Sequence, residues 1–224
     1  MKKISVKEMI VFRGKSDKSK KTFLKSLDKI KLIDSTSGGD YWVRSISALS
    51  NTFKSNNNQF VIDKINDIEN DFKSSKREQT RDMYRRNLDV LNNYKDFEFS
   101  TWYPNESIQI LEKLTKHPVL EINHIPIQIT LNQIFSFKRN GIDFIGAICF
   151  VAKLEGYSKV EFGIFAETMF VYLKNNFSDK YQINPRFCLV IDVLNIKEYT
   201  YQMILDFEIS SILSETIKSI KDNL

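Results

Sequence analysis

The spacing of apolar residues changes near residue 97, and no other feature constrains the fold as strongly. From Ser5 to Phe97 apolar residues recur every three or four positions, which is typical of amphipathic helices. After residue 97 several stretches alternate apolar and polar residues or are apolar throughout, which is typical of strands. The sequence therefore predicts an α+β fold, with a helical basic domain over 1–97 and a small mixed α/β sheet domain over 98–224.

Five helices are predicted in the first domain. After a short first helix, "SDKSKKTFLKSLDKIKL" repeats Phe23, Leu27 and Ile30 on one face, with Ser16 or Asp17 as the cap. Asp40 is expected to cap the third helix. The last three helices each carry one apolar stripe, made of Trp42, Ile46, Leu49 and Phe53, of Val61, Ile65, Ile68 and Phe72, and of Tyr84, Leu88 and Leu91.

The second domain is predicted to have the order β-β-α-β-(β)-α with flanking helices. A short helix is expected over "ESIQILEKLTKH", then one half-buried strand over "IPIQITLNQIFSF" and the turn "KRNG". The next strand, "IDFIGAICFVAKL", is apolar on both faces, which predicts the middle of the sheet. A long helix over "SKVEFGIFAETMFVYLKNNF", a buried strand over "NPRFCLVIDVL", an edge strand over "YTYQMI" and a closing helix follow.

The composition excludes several classes of protein. The apolar runs are shorter than the roughly 20 residues that span a bilayer, and the start lacks the apolar core of a secretory signal, so neither membrane insertion nor export is expected. Cys149 and Cys188 lie in strand-like apolar runs and are predicted to be buried thiols of a reducing compartment. A bacterial cytoplasmic protein is therefore expected.

Positive charge is concentrated in the first domain. Residues 1–95 hold 21 Lys and Arg against 12 Asp and Glu, a net charge of +9, whereas residues 96–224 hold 12 against 16. One basic cluster, Lys15, Lys18, Lys21, Lys25 and Lys29, recurs at helical spacing opposite apolar residues. A second cluster consists of Lys73, Lys76, Arg77, Arg81, Arg85 and Arg86. The guanidinium group suits bidentate contacts to phosphate, so Arg77, Arg81 and Arg85 are predicted to follow a phosphate backbone.

Three further interpretations of the basic region stay open. The clusters could merge into one patch, or each could be an ordinary solvated helix face. The first thirty residues also allow a helix-turn-helix, with "FRGKSD" as the turn, although the regular apolar frame of that motif is missing.

Common catalytic and cofactor motifs are absent from the sequence. His117 and His124 have no Cys, His or carboxylate at ligand spacing, and they are expected in a loop and in a strand. "STSGGD" lacks the Lys and the preceding strand of a phosphate-binding loop. No metal site and no cofactor are therefore predicted.

One enzymatic template was tested against the sequence, the metal-dependent nuclease core of restriction endonucleases. It needs an Asp on one strand and Glu-x-Lys on the next, so that carboxylates hold a cation. Asp143 begins the central strand and Lys153 ends it, but the acid position two residues before Lys153 is Val151. Glu167 or Asp192 would have to replace that acid, which makes Asp143, Lys153, Glu167 and Asp192 the catalytic candidates.

These observations predict a non-enzymatic protein that binds DNA or RNA through a basic helical surface. The first alternative is a protein-interaction subunit of a bacterial complex concerned with antiviral defence, toxin control or mobile elements. The second alternative is the divergent nuclease. A protein partner or a homo-oligomer is compatible with each interpretation.

Overall fold

The structure is a computed structural model that describes residues 3–28, 41–112 and 118–224. Its mixed α and β composition confirms the predicted fold class. In the described residues there are eight α-helices, α1 (Val6–Arg13), α2 (Asp17–Asp28), α3 (Val43–Ser55), α4 (Gln59–Ser74), α5 (Glu78–Tyr94), α6 (Lys159–Phe177), α7 (Tyr201–Leu205) and α8 (Leu213–Asp222). Phe99–Trp102 form a short 3-10 helix after α5. The expected cap Asp40 lies outside the described residues.

Two mixed sheets are formed within the same residues. Their strands are β1 (Ile4–Ser5), β2 (Gln109–Leu111), β3 (Val119–Ile122), β4 (Ile125–Gln128), β5 (Gln133–Arg139), β6 (Ile142–Val151), β7 (Gln182–Asp192) and β8 (Lys197–Thr200). The larger sheet has the strand order β2-β5-β6-β7-β8, and the smaller has the order β1-β4-β3. In the larger sheet β6 and β7 are parallel and joined by α6, while the other neighbouring pairs are antiparallel.

The five-stranded sheet carries a hydrophobic core on each face. Helices α1, α2, α6 and α8 contribute to the first core, and α3, α4 and α5 contribute to the second. Successive residues of β6 point to alternate cores, with Ile145, Ala147 and Cys149 in the first and Ile148 and Phe150 in the second. This confirms the prediction that the central strand is apolar on both faces.

The second core joins the two predicted domains. Leu49 and Phe53 of α3 are fully buried, whereas Trp42 and Ile46 of the same stripe are only half-buried. The three helices cover one face of a sheet that belongs to the second half of the chain. The boundary after residue 97 stays a prediction, but apolar contacts cross it.

Helix α1 begins with a capping box and is buried in the first core. The Ser5 hydroxyl accepts a hydrogen bond from the Glu8 amide, and the Glu8 carboxylate accepts one from the Ser5 amide, which is a capping box. Val6, Met9, Ile10 and Phe12 of this helix are buried. A turn of three residues, 14–16, then leads into α2.

The helix expected over "ESIQILEKLTKH" is wrong where it can be examined, because Gln109–Leu111 form the edge strand β2. Ile108 and Ile110 pack against the second core and Leu111 packs against the first, which is the alternation of a strand. Pairing with β5 thus overrides the local helical pattern. Residues 113–117, including His117, lie outside the described part of the chain.

The single strand expected over "IPIQITLNQIFSF" is also wrong. Its first half is β4, which pairs with β3 in the smaller sheet, and its second half is β5, which pairs with β6 in the larger sheet. Apolar side chains at Ile129 and Leu131 stay buried through the change of partner. The alternation of apolar and polar residues therefore continues from β4 into β5, and only the change of pairing partner shows that these are two strands.

Two further corrections concern turns. His124 is in the two-residue turn between β3 and β4, where Asn123 and His124 have φ of 50° and 65°, and not in a strand. The edge strand expected over "YTYQMI" ends at Thr200, whose hydroxyl accepts a hydrogen bond from the Met203 amide and begins α7. The expected "KRNG" turn is confirmed, with Asn140 and Gly141 at positive φ.

Gly146 in β6 meets an irregular part of β7. The register between the two strands shifts here, so that Ile145 pairs with Ile183 and Ala147 pairs with Cys188. A Cβ atom at Gly146 would lie 2.6 Å from the Phe187 carbonyl oxygen and 2.7 Å from the Phe187 Cβ. The bulged backbone therefore needs glycine opposite it.

We expect Gly146→Ala to lower the free energy of unfolding by about 1–3 kcal/mol, as overpacking against a fixed backbone does. Urea unfolding measures the effect. Gly14→Ala is the matched control, since Gly14 has a φ of −73° and its added Cβ would meet only the Val11 carbonyl oxygen at 3.6 Å. The control should be as stable as the wild type or slightly more stable. Equal stability of both variants would contradict the close approach.

A fragment of residues 98–224 tests the predicted boundary. Without α3, α4 and α5 the sheet would expose Phe135, Phe150 and Ile191, which are buried in the second core. We expect the fragment to aggregate or to lack a cooperative thermal transition by circular dichroism, while the full chain unfolds cooperatively. A cooperative transition in the fragment would support two independent domains.

Candidate nucleic-acid interface

The first basic cluster forms an exposed face on α2. Lys18, Lys21 and Lys25 project from the helix and Lys15 lies in the turn before it, and all four are exposed. The opposite side of the helix is apolar, with Leu24 buried and Phe23 and Leu27 packed against the first core. We call Lys15, Lys18, Lys21 and Lys25 the lysine face. Lys29, predicted to continue it, lies outside the described residues.

Lys20 neutralises the one acid at the start of this helix. Its Nζ lies 2.9 Å from the Asp17 carboxylate, and this hydrogen bond and charge hold the pKa of Asp17 below its usual range. The Lys20 ammonium also lies 5.7 Å from the centre of the Phe12 ring. Within the described residues, Lys18, Lys21 and Lys25 make no ion pair. No acid of the described residues therefore compensates the charge of these three lysines.

The second basic cluster is divided by its contacts. Lys73, Lys76 and Arg77 are exposed around the turn that joins α4 to α5. Arg81 and Arg85 instead lie over the Phe72 ring, with guanidinium carbons 4.6 and 5.9 Å from its centre.

Acids one or two helical turns away form ion pairs with the same two arginines. Glu78 lies 4.0 Å from the Arg81 guanidinium and 3.7 Å from that of Arg85, and Asp82 lies 2.5 Å from Arg85. Arg86 lies over the Tyr41 ring at 5.3 Å. The charges of Arg81 and Arg85 are thus partly neutralised, in contrast to the lysine face.

The two basic clusters belong to helices that contribute to different cores, one on each face of the larger sheet. Phe23, Leu24 and Leu27 of α2 contribute to the first core, whereas Tyr84 and Leu88 of α5 contribute to the second. The sequence leaves open whether the two basic clusters merge into one patch. The packing of the helices does not support such a merger.

Asp143 and Lys153 lie at opposite ends of β6. Ten residues of strand separate the ends by roughly 30 Å, so the Asp143 carboxylate and the Lys153 ammonium cannot belong to one catalytic site. Asp143 is exposed and lies 3.8 Å from Lys138 on the neighbouring strand. Lys153 lies 4.5 Å from the centre of the Tyr157 ring, and burial raises the pKa of that Tyr to about 12.

Glu167 and Asp192 are buried carboxylates with structural partners. Glu167 accepts hydrogen bonds from the Ser211 hydroxyl at 2.7 Å and from the Leu213 amide at 3.2 Å, which fixes the start of α8. Asp192 accepts bonds from the Leu194 amide at 3.1 Å and from the Asn195 side-chain amide at 2.8 Å, which fixes the turn after β7.

The end of β6 offers amides where the nuclease template needs acids. Asp192 pairs with Val151 across the parallel strands, so it lies at the same end of the sheet as Lys153. The antiparallel neighbour β5 begins here with Gln133, and the side chain of the preceding Asn132 accepts a hydrogen bond from the Phe150 amide. Over the described ranges, no group of three or more His, Cys, Asp or Glu side chains is placed to hold a metal ion.

One polar cleft was missed by the sequence reasoning. Glu106 and Arg139 form a two-point ion pair with distances of 2.6 and 2.8 Å, which lowers the pKa of Glu106. With Tyr103, Arg186 and Phe187 they line a cleft of about 310 Å³. The two partners are 33 residues apart in the chain, so no local spacing indicates the pair.

An exposed aromatic was also missed. Phe207 follows α7, is 95% exposed and has a φ of 60°, a backbone conformation that bulky residues rarely adopt. Its amide bonds to the Ile204 carbonyl and the Glu208 amide bonds to the Met203 carbonyl, so it closes the helix where glycine is usual. Asp206 and Glu208 flank it in the sequence.

We expect Asp192→Ala to lower the free energy of unfolding by about 1–3 kcal/mol, because the Leu194 amide and the Asn195 side chain lose their acceptor. Asp143→Ala is the control and should change stability by less than about 0.5 kcal/mol, since its ion pair is exposed. Both are measured by urea unfolding. Cleavage of DNA or RNA by the wild type with Mg²⁺ or Mn²⁺, lost in Asp192→Ala, would show that the carboxylate is catalytic instead.

Comparisons with known proteins identify no relative. No family model, no curated protein and no solved structure matches this chain. None of the helices in the described ranges combines the length and the apolar character needed to cross a bilayer. A functional proposal therefore has to be argued from the charge and geometry of the described surface.

Proposed function

We propose that this protein binds nucleic acid through the lysine face of α2 and that it acts without catalysis in the bacterial cytoplasm. One observation carries the proposal, namely that Lys18, Lys21 and Lys25 are exposed on one helix face with no ion pair to a described acid. A polyanion gains most from charges that no neighbouring acid compensates.

The ordinary explanation of such a face is a solvated helix surface. Solvated faces commonly mix both signs of charge, as α5 does, where Glu78 and Asp82 accompany Arg81 and Arg85. On α2 the acid at the helix start, Asp17, is already paired with Lys20. This difference favours an external anion over simple solvation.

The second basic cluster has a lesser role in this proposal. Lys73, Lys76 and Arg77 are exposed and could contact a flanking phosphate of a long ligand. The predicted row of Arg77, Arg81 and Arg85 is less suited to that role because two of its members are held by Glu78. The main contribution to affinity is therefore assigned to α2.

A protein-interaction subunit is the second candidate, and Phe207 is the observation that favours it. A fully exposed phenylalanine in a left-handed conformation lowers the stability of the fold. Residues with such a cost are commonly retained because they have a function. The acidic residues beside it would repel nucleic acid. The two functions would use different surfaces, so they can be tested separately.

Replacing Lys15, Lys18, Lys21 and Lys25 together by Gln should weaken binding to DNA at least about tenfold at low salt, because up to four phosphate contacts are lost. The slope of log affinity against log salt should become shallower. Fluorescence anisotropy with a labelled DNA measures both quantities. The melting temperature should stay close to that of the wild type, since exposed charges contribute little stability.

The matched control removes four exposed lysines elsewhere, Lys54, Lys95, Lys174 and Lys180, also to Gln. This control variant loses the same net charge as the lysine-face variant. Its affinity for DNA therefore distinguishes a local binding site from a general effect of net charge. An equal loss of DNA affinity in both variants would show that the lysine face contributes only through net charge and is not a local binding site. Failure of the wild type to bind DNA or RNA at low salt would exclude the proposed function.

A further inference from the structure

Helices α1 and α2 have the short connection of a helix-turn-helix. Only residues 14–16 separate them, and the Gly14 and Lys15 amides donate to the Ile10 and Phe12 carbonyls. A turn of three to four residues that contains glycine is typical of that motif, whose second helix enters the major groove. The turn coincides with the "FRGKSD" segment of the sequence.

The first helix holds the second in place. Four residues of α1 are buried in the first core, and Arg13 at its end donates a hydrogen bond to the Thr216 hydroxyl of α8 at 2.8 Å. The Phe12 and Phe23 rings then join the two helices, with centres 6.5 Å apart. The exposed side of α2 is therefore presented from a helix that is itself buried in the first core.

The exposed side of α2 suits a groove in size and chemistry. Beyond the lysines it presents Thr22 and Ser26, and it has no aromatic side chain. A helix with its side chains is about 10–12 Å wide, which matches the roughly 12 Å width of the B-form major groove. Lys, Ser and Thr side chains can contact phosphates and base edges without demanding one sequence.

Single-stranded ligands fit this surface poorly. Proteins that bind single strands usually stack bases on exposed aromatic rings beside a basic groove. Phe12 is fully buried. Phe23 is half-buried against the first core, with the Lys15 ammonium 5.8 Å from the centre of its ring, so no fully exposed ring lies beside the lysines. The most exposed aromatic, Phe207, lies between two acidic residues instead.

We propose that α2 enters the major groove of duplex DNA, with Lys18, Lys21 and Lys25 contacting the phosphates and base edges that border it. This inference rests on the proposed function and names its ligand. Duplex RNA is the discriminating comparison, because its major groove is deep and too narrow for side chains to read. A surface that only attracts phosphates would bind both duplexes.

The experiment compares three labelled probes of one sequence, a DNA duplex, an RNA duplex and a DNA single strand, by fluorescence anisotropy at low salt. We expect the full-length protein to bind the DNA duplex at least about tenfold more tightly than either other probe. Lys18, Lys21 and Lys25 together changed to Gln should remove this preference. Lys54, Lys95 and Lys174 changed to Gln should keep it.

Each other outcome overturns a defined part of the inference. Equal affinity for the two duplexes would exclude insertion into the groove while leaving nucleic-acid binding intact. Tighter binding of the single strand would do the same and would point to a stacking site elsewhere. Absence of binding to all three probes would overturn this inference and the proposed function together.

Discussion

The parallel pairing of β6 with β7 is the interaction on which the remaining structure depends. Both strands are buried over residues 145–151 of β6 and 188–192 of β7, where each supplies side chains to a core above and a core below the sheet. Among the helices that cover these faces, α2, α3, α4, α5 and α8 are amphipathic and would not bury their apolar stripes without the strands. Even the lysine face depends on this pair, because α2 is positioned through α1 and the first core.

Local patterns in the sequence identify what is local in the structure. The stripes of α3, α4 and α5, the length of α6 and the turn at Asn140 and Gly141 all follow from spacing or turn chemistry within a few residues. The pairing of Arg81 and Arg85 with Glu78 and Asp82 is equally local, at three- and seven-residue spacing. It was accessible to sequence reasoning and explains why the charges of Arg81 and Arg85 are partly neutralised.

The spacing of apolar residues along the sequence does not predict which distant strands pair. β2 is a strand because β5 lies beside it, and β4 and β5 separate because each finds a different partner. Glu167 has the side-chain type of a catalytic candidate. Its hydrogen-bond partners Ser211 and Leu213, however, are more than forty residues away in the chain, and these bonds make it an anchor for α8. Residue type indicates possible chemistry, whereas the hydrogen-bond partners of the folded chain decide whether that chemistry is already engaged.

Both tryptophans lie on one side of the sheet. Trp102 is buried in the second core and Trp42 packs at its edge, while the first core has no indole ring. Intrinsic tryptophan fluorescence therefore reports on the side covered by α3, α4 and α5. If α1 and α2 were to detach from the opposite face, the emission would hardly change. Hydrogen exchange or a fluorophore placed on α2 would be needed to follow that half of the molecule.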